Sequence, residues 1–340
     1  MGFFSSKSKD SGIVLTSRIR LARNIDGMPF PQLLSDVEAK KVIDSIYSSL
    51  KNSSIPEVKN FKLVNLSDIG KLQIFAMVER HVISKDLINN YQKAAVILDE
   101  EEKTSIMVNE EDHIRLQVMY PGLMLKEAYE YANKIDDAIE ENITYAFDAR
   151  YGYLTSCPTN VGTGIRASVM LHLPALTYTK NINNILNTVT QVGMTIRGLY
   201  GEGSNAMGNM YQVSNQVTLG LSEEEIINSL IAVTKKIIDQ EERAREIIAE
   251  KRNIAFEDDV YRSLGILKYA KTIDTNECLN LISKVRLGVE MGIIKEVDIK
   301  KLNELITVVQ PATLQLIDGR ELEGRDRDVV RARIVRETLK

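Results

Sequence analysis

The sequence predicts an α+β protein in two units. Short strand patterns interleave with amphipathic helices as far as about residue 254, and from 255 to 340 only helical spacing remains. The chain has 340 residues, 44% of them apolar, which is length and core material for one large and one small unit.

Ordered structure is expected from Gly12, after a Ser/Lys-rich start over residues 1–11. In Thr16-Ser17-Arg18-Ile19-Arg20 the alternation of a strand puts both arginines on one face. Residues 36–50 carry Val37, Val42, Ile43, Ile46, Tyr47 and Leu50 at helical spacing. Strands are predicted over 61–66, 94–98, 104–108 and 114–120, with Asn109-Glu110-Glu111-Asp112 as the loop between the last two. A helix over 123–142 follows Ala128, Tyr131, Ile135 and Ile139. Residues 153–156 and 166–173 read as extended, and Cys157-Pro-Thr-Asn-Val-Gly-Thr-Gly164 is the loop between them. Two more strands, 191–199 and 210–219, are joined by the Gly-rich stretch 201–209. Ser222 and Glu225 form a capping box that opens a long helix to about Arg252. The second unit shows helical spacing over 257–271, 276–291, 296–308 and 325–338.

The formal charge is 43 − 47 = −4, which argues against a nucleic-acid binder. Residues 320–340 hold six arginines and one lysine against five acids, so even that segment is only mildly basic. The two cysteines, Cys157 and Cys278, lack paired spacing; this excludes a disulfide framework or zinc ribbon and fits a reducing, cytoplasmic compartment. No apolar run reaches membrane-spanning length and no secretory core is present. Met1-Gly2-Phe3-Phe4-Ser5-Ser6 meets the loose myristoylation pattern, a short match read as a frayed start. His81, His113 and His172 show no metal-ligand spacing, so no protein metal cage is expected.

Five arginines stand out: Arg18 and Arg20 on the strand above, Arg115 after the acidic loop, Arg166 after the Gly-Thr-Gly turn and Arg197 before the Gly-rich stretch. The chain has no Gly-x-x-x-x-Gly-Lys-Ser/Thr loop and no His-Arg-Asp motif; without such a loop, several guanidinium forks could hold a polyphosphate by bidentate hydrogen bonds. Gly162-Thr-Gly-Ile-Arg-Ala167 fits a dinucleotide pattern, but Pro158 precedes it and strand-like residues follow, which is the wrong context. Glu111 and Glu202 are the candidate carboxylates: such a pair can orient a planar guanidinium and accept its proton. A Cys157 thiolate would be stabilised beside a cationic substrate. Cys278, among Leu279, Leu281 and Ile282, reads as a buried filler.

Three segments carry a resemblance: Met107-Val-Asn-Glu-Glu-Asp-His-Ile-Arg-Leu-Gln117, Ser156-Cys-Pro-Thr-Asn-Val-Gly-Thr-Gly-Ile-Arg-Ala167 and Arg197-Gly-Leu-Tyr-Gly-Glu202. Together they resemble the signature of the phosphagen (guanidino) kinases, which move the γ-phosphoryl of ATP to a guanidinium nitrogen. The resemblance implies an antiparallel sheet flanked by helices over residues 12–254. It implies nucleotide contacts from Ser17, Arg18, Ile19, Arg20, His81, Arg115, Arg166, Ala167, Ser168, Val169, Met170, Arg197, Gly198, Leu199, Tyr200 and Gly201. It also implies catalysis by Glu111, Glu202 and Cys157, with Glu111 the preferred base, and Mg²⁺ held mainly through the ATP phosphates.

Small-molecule members carry an N-terminal helical domain ahead of the Ser/Thr-Arg-x-Arg motif, which here begins at residue 16; a helical unit at 255–340 follows instead. This arrangement is similar to the bacterial protein arginine kinases of the McsB type. Ser17–Asn24 and Arg166–Met170 match that branch, Met170 standing where many phosphagen kinases have histidine. Arg327-Asp328-Val329-Val330-Arg331-Ala332 matches its Arg-Asp-x-x-Arg-Ala motif, which in the branch senses phosphoarginine. Arg327 and Arg331 are four apart and share a helix face, and Asp328 can pair with Arg331.

The resemblance further implies arginine side chains of proteins as acceptors, tagging in stress response and protein quality control, and activation by phosphoarginine. It implies a homodimer formed through the helical unit, with a zinc-binding activator protein, a stress-gene repressor and a Clp-type protease as partners. The alternatives are a small-molecule guanidino kinase, disfavoured by the missing N-terminal domain, and a non-catalytic phosphoarginine-binding adaptor. Intact Glu111, Cys157, Glu202 and the five arginines argue against the adaptor.

Overall fold

One antiparallel sheet organises the first two thirds of the chain. A computed structural model describes residues 12–198, 206–250 and 254–340. The strands are β1 (Val14–Arg23), β2 (Lys62–Asn65), β3 (Ala95–Leu98), β4 (Thr104–Val108), β5 (Ile114–Pro121), β6 (Phe147–Asp148), β7 (Gly152–Tyr153), β8 (Ile165–His172), β9 (Met194–Gly198) and β10 (Met210–Asn215). Eight of them form a sheet in the order β2-β3-β4-β5-β1-β8-β10-β9, with every neighbouring pair antiparallel, and β6 and β7 make a separate small hairpin. The ten-residue β1 lies at the centre, between β5 and β8.

Helices α1 (Asp36–Asn52), α2 (Lys71–Glu79), α3 (Leu125–Glu140), α4 (Pro174–Tyr178), α5 (Ile182–Gln191) and α6 (Glu223–Glu250) flank this sheet. Serine and glutamate cap both α1 and α6 reciprocally: Ser35 with Glu38, and Ser222 with Glu225. The apolar stripes of α1, α3 and α6 cover one sheet face and bury Ile19, Leu21, Ile106, Leu116, Val118, Ala167 and Val169. On the other face α2 covers only the β3–β4 end, over Val96, Leu98 and Met107. The middle of that second face is left to polar side chains, and the candidate site lies there.

Helices α7 (Ile254–Tyr269), α8 (Thr275–Glu290), α9 (Ile299–Val308), α10 (Pro311–Asp318) and α11 (Gly324–Thr338) complete the chain. Their core is continuous with that of the sheet domain. Polar contacts also bridge the two parts. The Arg286 Nη1 donates to His172 Nδ1 (2.6 Å), which leaves His172 Nε2 to donate to Ser283 Oγ (2.7 Å). Arg245 on α6 pairs with Glu290 on α8 at 2.9 Å.

Several sequence expectations are corrected. Val37 is 80% exposed and not part of the α1 stripe: nine residues before Ile46 is about two and a half turns, which is the opposite side of the helix. Residues 154–156 are loop, and the last strand ends at Asn215 rather than 219. Helices α4, α5 and α10 are absent from the sequence reading. Both α4 and α10 are short and open on a proline, which suits the first helical turn but gives little periodicity to read.

Candidate active site

The sheet register builds the site. Residues directly opposite on neighbouring strands point to the same face. Arg20 stands opposite Gln117 on β5 and Arg166 on β8, Arg18 stands opposite Ser168, and Arg115 stands opposite Ala22. Gln212 on β10 lies opposite Met170 on one side and Arg197 on the other. Four strands, β1, β5, β8 and β9, therefore deliver Arg18, Arg20, Arg115, Arg166 and Arg197 to one surface. The same alternation turns Ser17, Ile19, Ala167 and Val169 to the opposite face, where they are buried. Their side chains pack in the core, and only their backbone is left to serve a ligand.

These arginines are tethered lightly. Arg18 donates to Gln212 Oε1 (2.7 Å) and to Ser168 Oγ (3.3 Å), and Arg166 reaches Ser214 Oγ at 3.5 Å. Among the described residues, the buried Nε atoms of Arg20 and Arg166 have no hydrogen-bond partner. Burial, then the neighbouring Arg115 and Arg166, lower the Arg18 guanidinium to about 10. Burial and the same cationic neighbours lower Arg20 as well, and burial and Arg197 lower Arg166. A concave surface of under-satisfied guanidinium groups fits a polyphosphate, which supplies the missing acceptors and the missing charge. Arg115 differs: burial would lower it, but the Glu110 carboxylate overcomes that and holds it above its ordinary value.

The acidic loop between β4 and β5 is closed by the Asn109 N–H to His113 carbonyl bond (3.1 Å), with Asn109 in the left-handed region. Each member of the loop has its own role. Glu110 is buried against Arg115 and accepts from Ser84 Oγ. Asp112 is also buried, and its Oδ1 accepts from Asn24 Nδ2 (2.7 Å) and from the Ser156 N–H (2.7 Å). His113 donates from Nε2 to the Pro29 carbonyl (2.8 Å) and accepts the Ile25 N–H at Nδ1 (3.1 Å), a structural role. Of the three carboxylates that line the cavity, Glu111 is the one that is half-buried rather than buried. Burial, then the Asp112 and Glu110 charges, raise its carboxyl above the ordinary range, against a contact with Cys157 that lowers it.

Asp112 thereby ties the acidic loop to the loop that carries Cys157. Cys157 Sγ lies 3.0 Å from Thr159 Oγ1. The loop closes through Gly162 and Gly164, both with positive φ. A Cβ at Gly162 would come within 2.5 Å of the Thr218 carbonyl oxygen, and at Gly164 within 2.6 Å of that of Ala22. Strand β8 follows directly, so the Gly-Thr-Gly segment does not open a helix.

All five arginines, Glu110, Glu111, Asp112, Cys157 and Gly198 line one cavity of about 420 Å³. Glu202, Leu199, Tyr200 and Gly201, also expected at the site, lie outside the described residues. A second cavity of about 750 Å³ shares Arg18, Arg20 and Arg115 and extends past His81 to α2 and α10. His81 has a backbone φ of 60°, and burial, then Arg18 and Lys85, lower its imidazole to about 3, so it lines the cavity neutral. The sequence reading missed Glu110, Asp112, Asn24 and Gln212 as organisers of the site. Among them only the Glu110–Arg115 spacing carries a signal, since five residues across a tight turn bring strand and loop together.

Among the described residues no cluster of three or more His, Cys, Asp or Glu side chains is placed to hold a metal. No helix there is long and apolar enough to cross a membrane. In the C-terminal unit Arg331 is buried. It donates to the Val309 and Ile273 carbonyls (2.8 and 2.9 Å) and to Asp328 (2.6 Å), while Ala332 is buried beside it and Arg327 is half-buried.

Comparison with known proteins agrees with this geometry. Residues 41–244 match the family described as ATP:guanido phosphotransferase, C-terminal catalytic domain, and residues 251–340 match the protein-arginine kinase McsB C-terminal domain. The chain is 54% identical over 328 residues to a protein-arginine kinase of Clostridium kluyveri, covering 96% of this chain and 95% of that one. It is 51% identical over 338 residues to one of Clostridium acetobutylicum, covering 99% of each. The crystal structure of a lombricine kinase superposes with a TM-score of 0.60 at 28% identity, over 71% of this chain and 69% of the other. With the arginine face, the acidic loop and both family matches in place, this chain belongs to the ATP:guanido phosphotransferases, in their protein-arginine kinase branch.

Proposed function

We propose that this protein transfers the γ-phosphoryl group of ATP to arginine side chains of other proteins. The observation that carries the reading is the single cavity in which five arginines face Glu111 and Cys157. Arg18, Arg20, Arg115, Arg166 and Arg197 hold the phosphates and neutralise charge on the transferring group; positioning and electrostatics supply most of the rate. Mg²⁺ brought in with the nucleotide would add to that neutralisation. The acceptor guanidinium nitrogen attacks the γ-phosphorus. The N–P bond forms, the bond to the ADP oxygen breaks, and the guanidinium proton passes to Glu111. The raised Glu111 carboxyl suits it to receive that proton. Glu202 aligns the second edge of the guanidinium, and Cys157 stands beside it.

The wider reading is that the protein acts in the cytoplasm as a homodimer, tagging proteins in stress response and quality control. A zinc-binding activator, a stress-gene repressor and a Clp-type protease are its partners in that reading. Phosphoarginine stimulates it through Arg327 and Asp328, with Arg331 and Ala332 as the framework of that site.

The test is incubation with ATP and Mg²⁺ plus either an unfolded protein or free arginine, followed by ³¹P NMR for acid-labile N–P phosphate. Label on the protein is expected. Label on free arginine alone makes the enzyme a small-molecule guanidino kinase. ATP binding with no N–P product in either sample makes it a binding protein.

A further inference from the structure

The second cavity has a wall that the sheet domain does not supply. On one side stand Leu72, Phe75 and Val78 of α2; on the other stand Pro311 and Ala312 of α10, with Arg327 of α11. A carboxylate latches the two sides. Glu79, the last residue of α2, accepts from the Ala312 and Thr313 N–H groups (2.7 Å each) and from Thr313 Oγ1 (2.8 Å). The N-cap residue of α10, Gln310, makes no side-chain cap of its own. Glu79 therefore satisfies from another domain the free donors at the start of α10 and meets the positive end of its dipole.

Arg327 is half-buried, and among the described residues its guanidinium makes no ion pair or hydrogen bond. It faces a cavity that is more apolar than the arginine cleft and continuous with it through Arg18, Arg20 and Arg115. A ligand whose phosphates sit on those arginines has its remaining half in this compartment. A purine ring offers what the compartment can use: an apolar face for Phe75 and Val78, and edge acceptors or a π-face for a guanidinium.

Resting on the ATP-dependent reading above, we infer that the helical unit is part of the nucleotide site. Helix α10, latched by Glu79, and the Arg327 guanidinium close the nucleoside half. Nucleotide affinity then depends on the docking of that unit, and nucleotide binding tightens α10 against α2. Arg327 also belongs to the motif assigned to phosphoarginine, so ligands at the two places would act on one guanidinium.

The experiment is calorimetric titration of the full-length wild type, Arg327→Ala, Glu79→Gln and Arg166→Ala with ATP, AMP and inorganic tripolyphosphate. Arg327→Ala and Glu79→Gln are expected to weaken ATP and AMP by the same factor, about fivefold or more, and to leave tripolyphosphate unchanged. Arg166→Ala is expected to weaken ATP and tripolyphosphate and to leave AMP nearly unchanged. Amide exchange in residues 312–318 of the wild type should slow when AMP binds. Unchanged AMP affinity in Arg327→Ala overturns the Arg327 contact, and α10 exchange indifferent to AMP overturns the coupling, even where Glu79→Gln fails to fold. Wild type that binds tripolyphosphate but not AMP overturns the nucleoside compartment and leaves the phosphate face standing. Failure to bind ATP or tripolyphosphate at all removes the phosphotransfer reading itself.

Discussion

Arg20 and Arg166 stand directly opposite one another on adjacent central strands, each with a buried Nε that no acceptor among the described residues meets. Like charges in that position oppose folding by about 0.2–1 kcal/mol. An anion seated on this face would relieve the repulsion. Arg166→Gln should therefore raise the melting temperature of the ligand-free protein by up to about 2 °C. It should also abolish most of the further rise that ATP or tripolyphosphate gives the wild type. Thermal melts with and without the ligand check this; a lower ligand-free melting temperature in the variant would show that the repulsion is already relieved.

Glu111→Gln should lower kcat by about 10²- to 10⁴-fold while ATP affinity stays close to wild type. Glu111 acts ionised, and its carboxyl is raised by burial and by Asp112 and Glu110. Activity should accordingly fall as pH drops through a value above the ordinary 4.5 of a glutamate. The limb belongs in the kcat profile of the wild type and should be missing from the residual activity of the variant. Loss of ATP binding in Glu111→Gln would contradict the assignment.

The two cysteines should react very differently. Cys157 is half-buried at the cavity wall, whereas Cys278 is fully buried and burial pushes its thiol up to about 12. Iodoacetamide should add one label per folded chain, on Cys157, and ATP with an arginine-bearing substrate should slow it. Peptide mass mapping reads the position, and equal labelling of Cys278 would mean that α8 opens readily.

His172 makes the docking of the helical unit sensitive to acid. Burial, then Arg286 and Arg245, hold its imidazole well below the ordinary 6.5. A depressed value in the folded state means that its stabilising effect is present above 6.5 and is lost as pH falls. The slope is at most about 1.4 kcal/mol per pH unit for one proton. Ser283, Asn209 and the Glu290 carboxylate beside Arg286 and Arg245 complete the surroundings. Melting temperature between pH 6.5 and 5 should drop more steeply in wild type than in His172→Gln, and parallel curves would acquit His172.

Much of this was legible beforehand, for reasons that differ by residue. Alternation alone puts Arg18 and Arg20 on one face, and the structure agrees. That Arg166 meets Arg20, or that Arg197 joins them, depends on register between strands about 145 to 180 residues apart, which no local pattern encodes. In the acidic loop the residue types stood out, but the division of labour did not. Glu110 is consumed by Arg115, Asp112 by Asn24 and Ser156, and only burial and direction separate them from Glu111. Spacing puts Arg327 and Arg331 on one face of α11, yet Arg331 is buried and bound to two carbonyls where that helix packs on α7 and α10.

The phosphate-facing surface is the flat of a sheet rather than the bend of a loop. Hydrogen-bonded strands lie about 4.8 Å apart and successive same-face residues about 6.6–6.8 Å apart, and neither spacing stretches easily. Cations planted on that lattice form a ruler. Anions whose charges fall on its marks bind without rearranging the protein, and those with other intervals, however highly charged, meet a grid that will not bend to them.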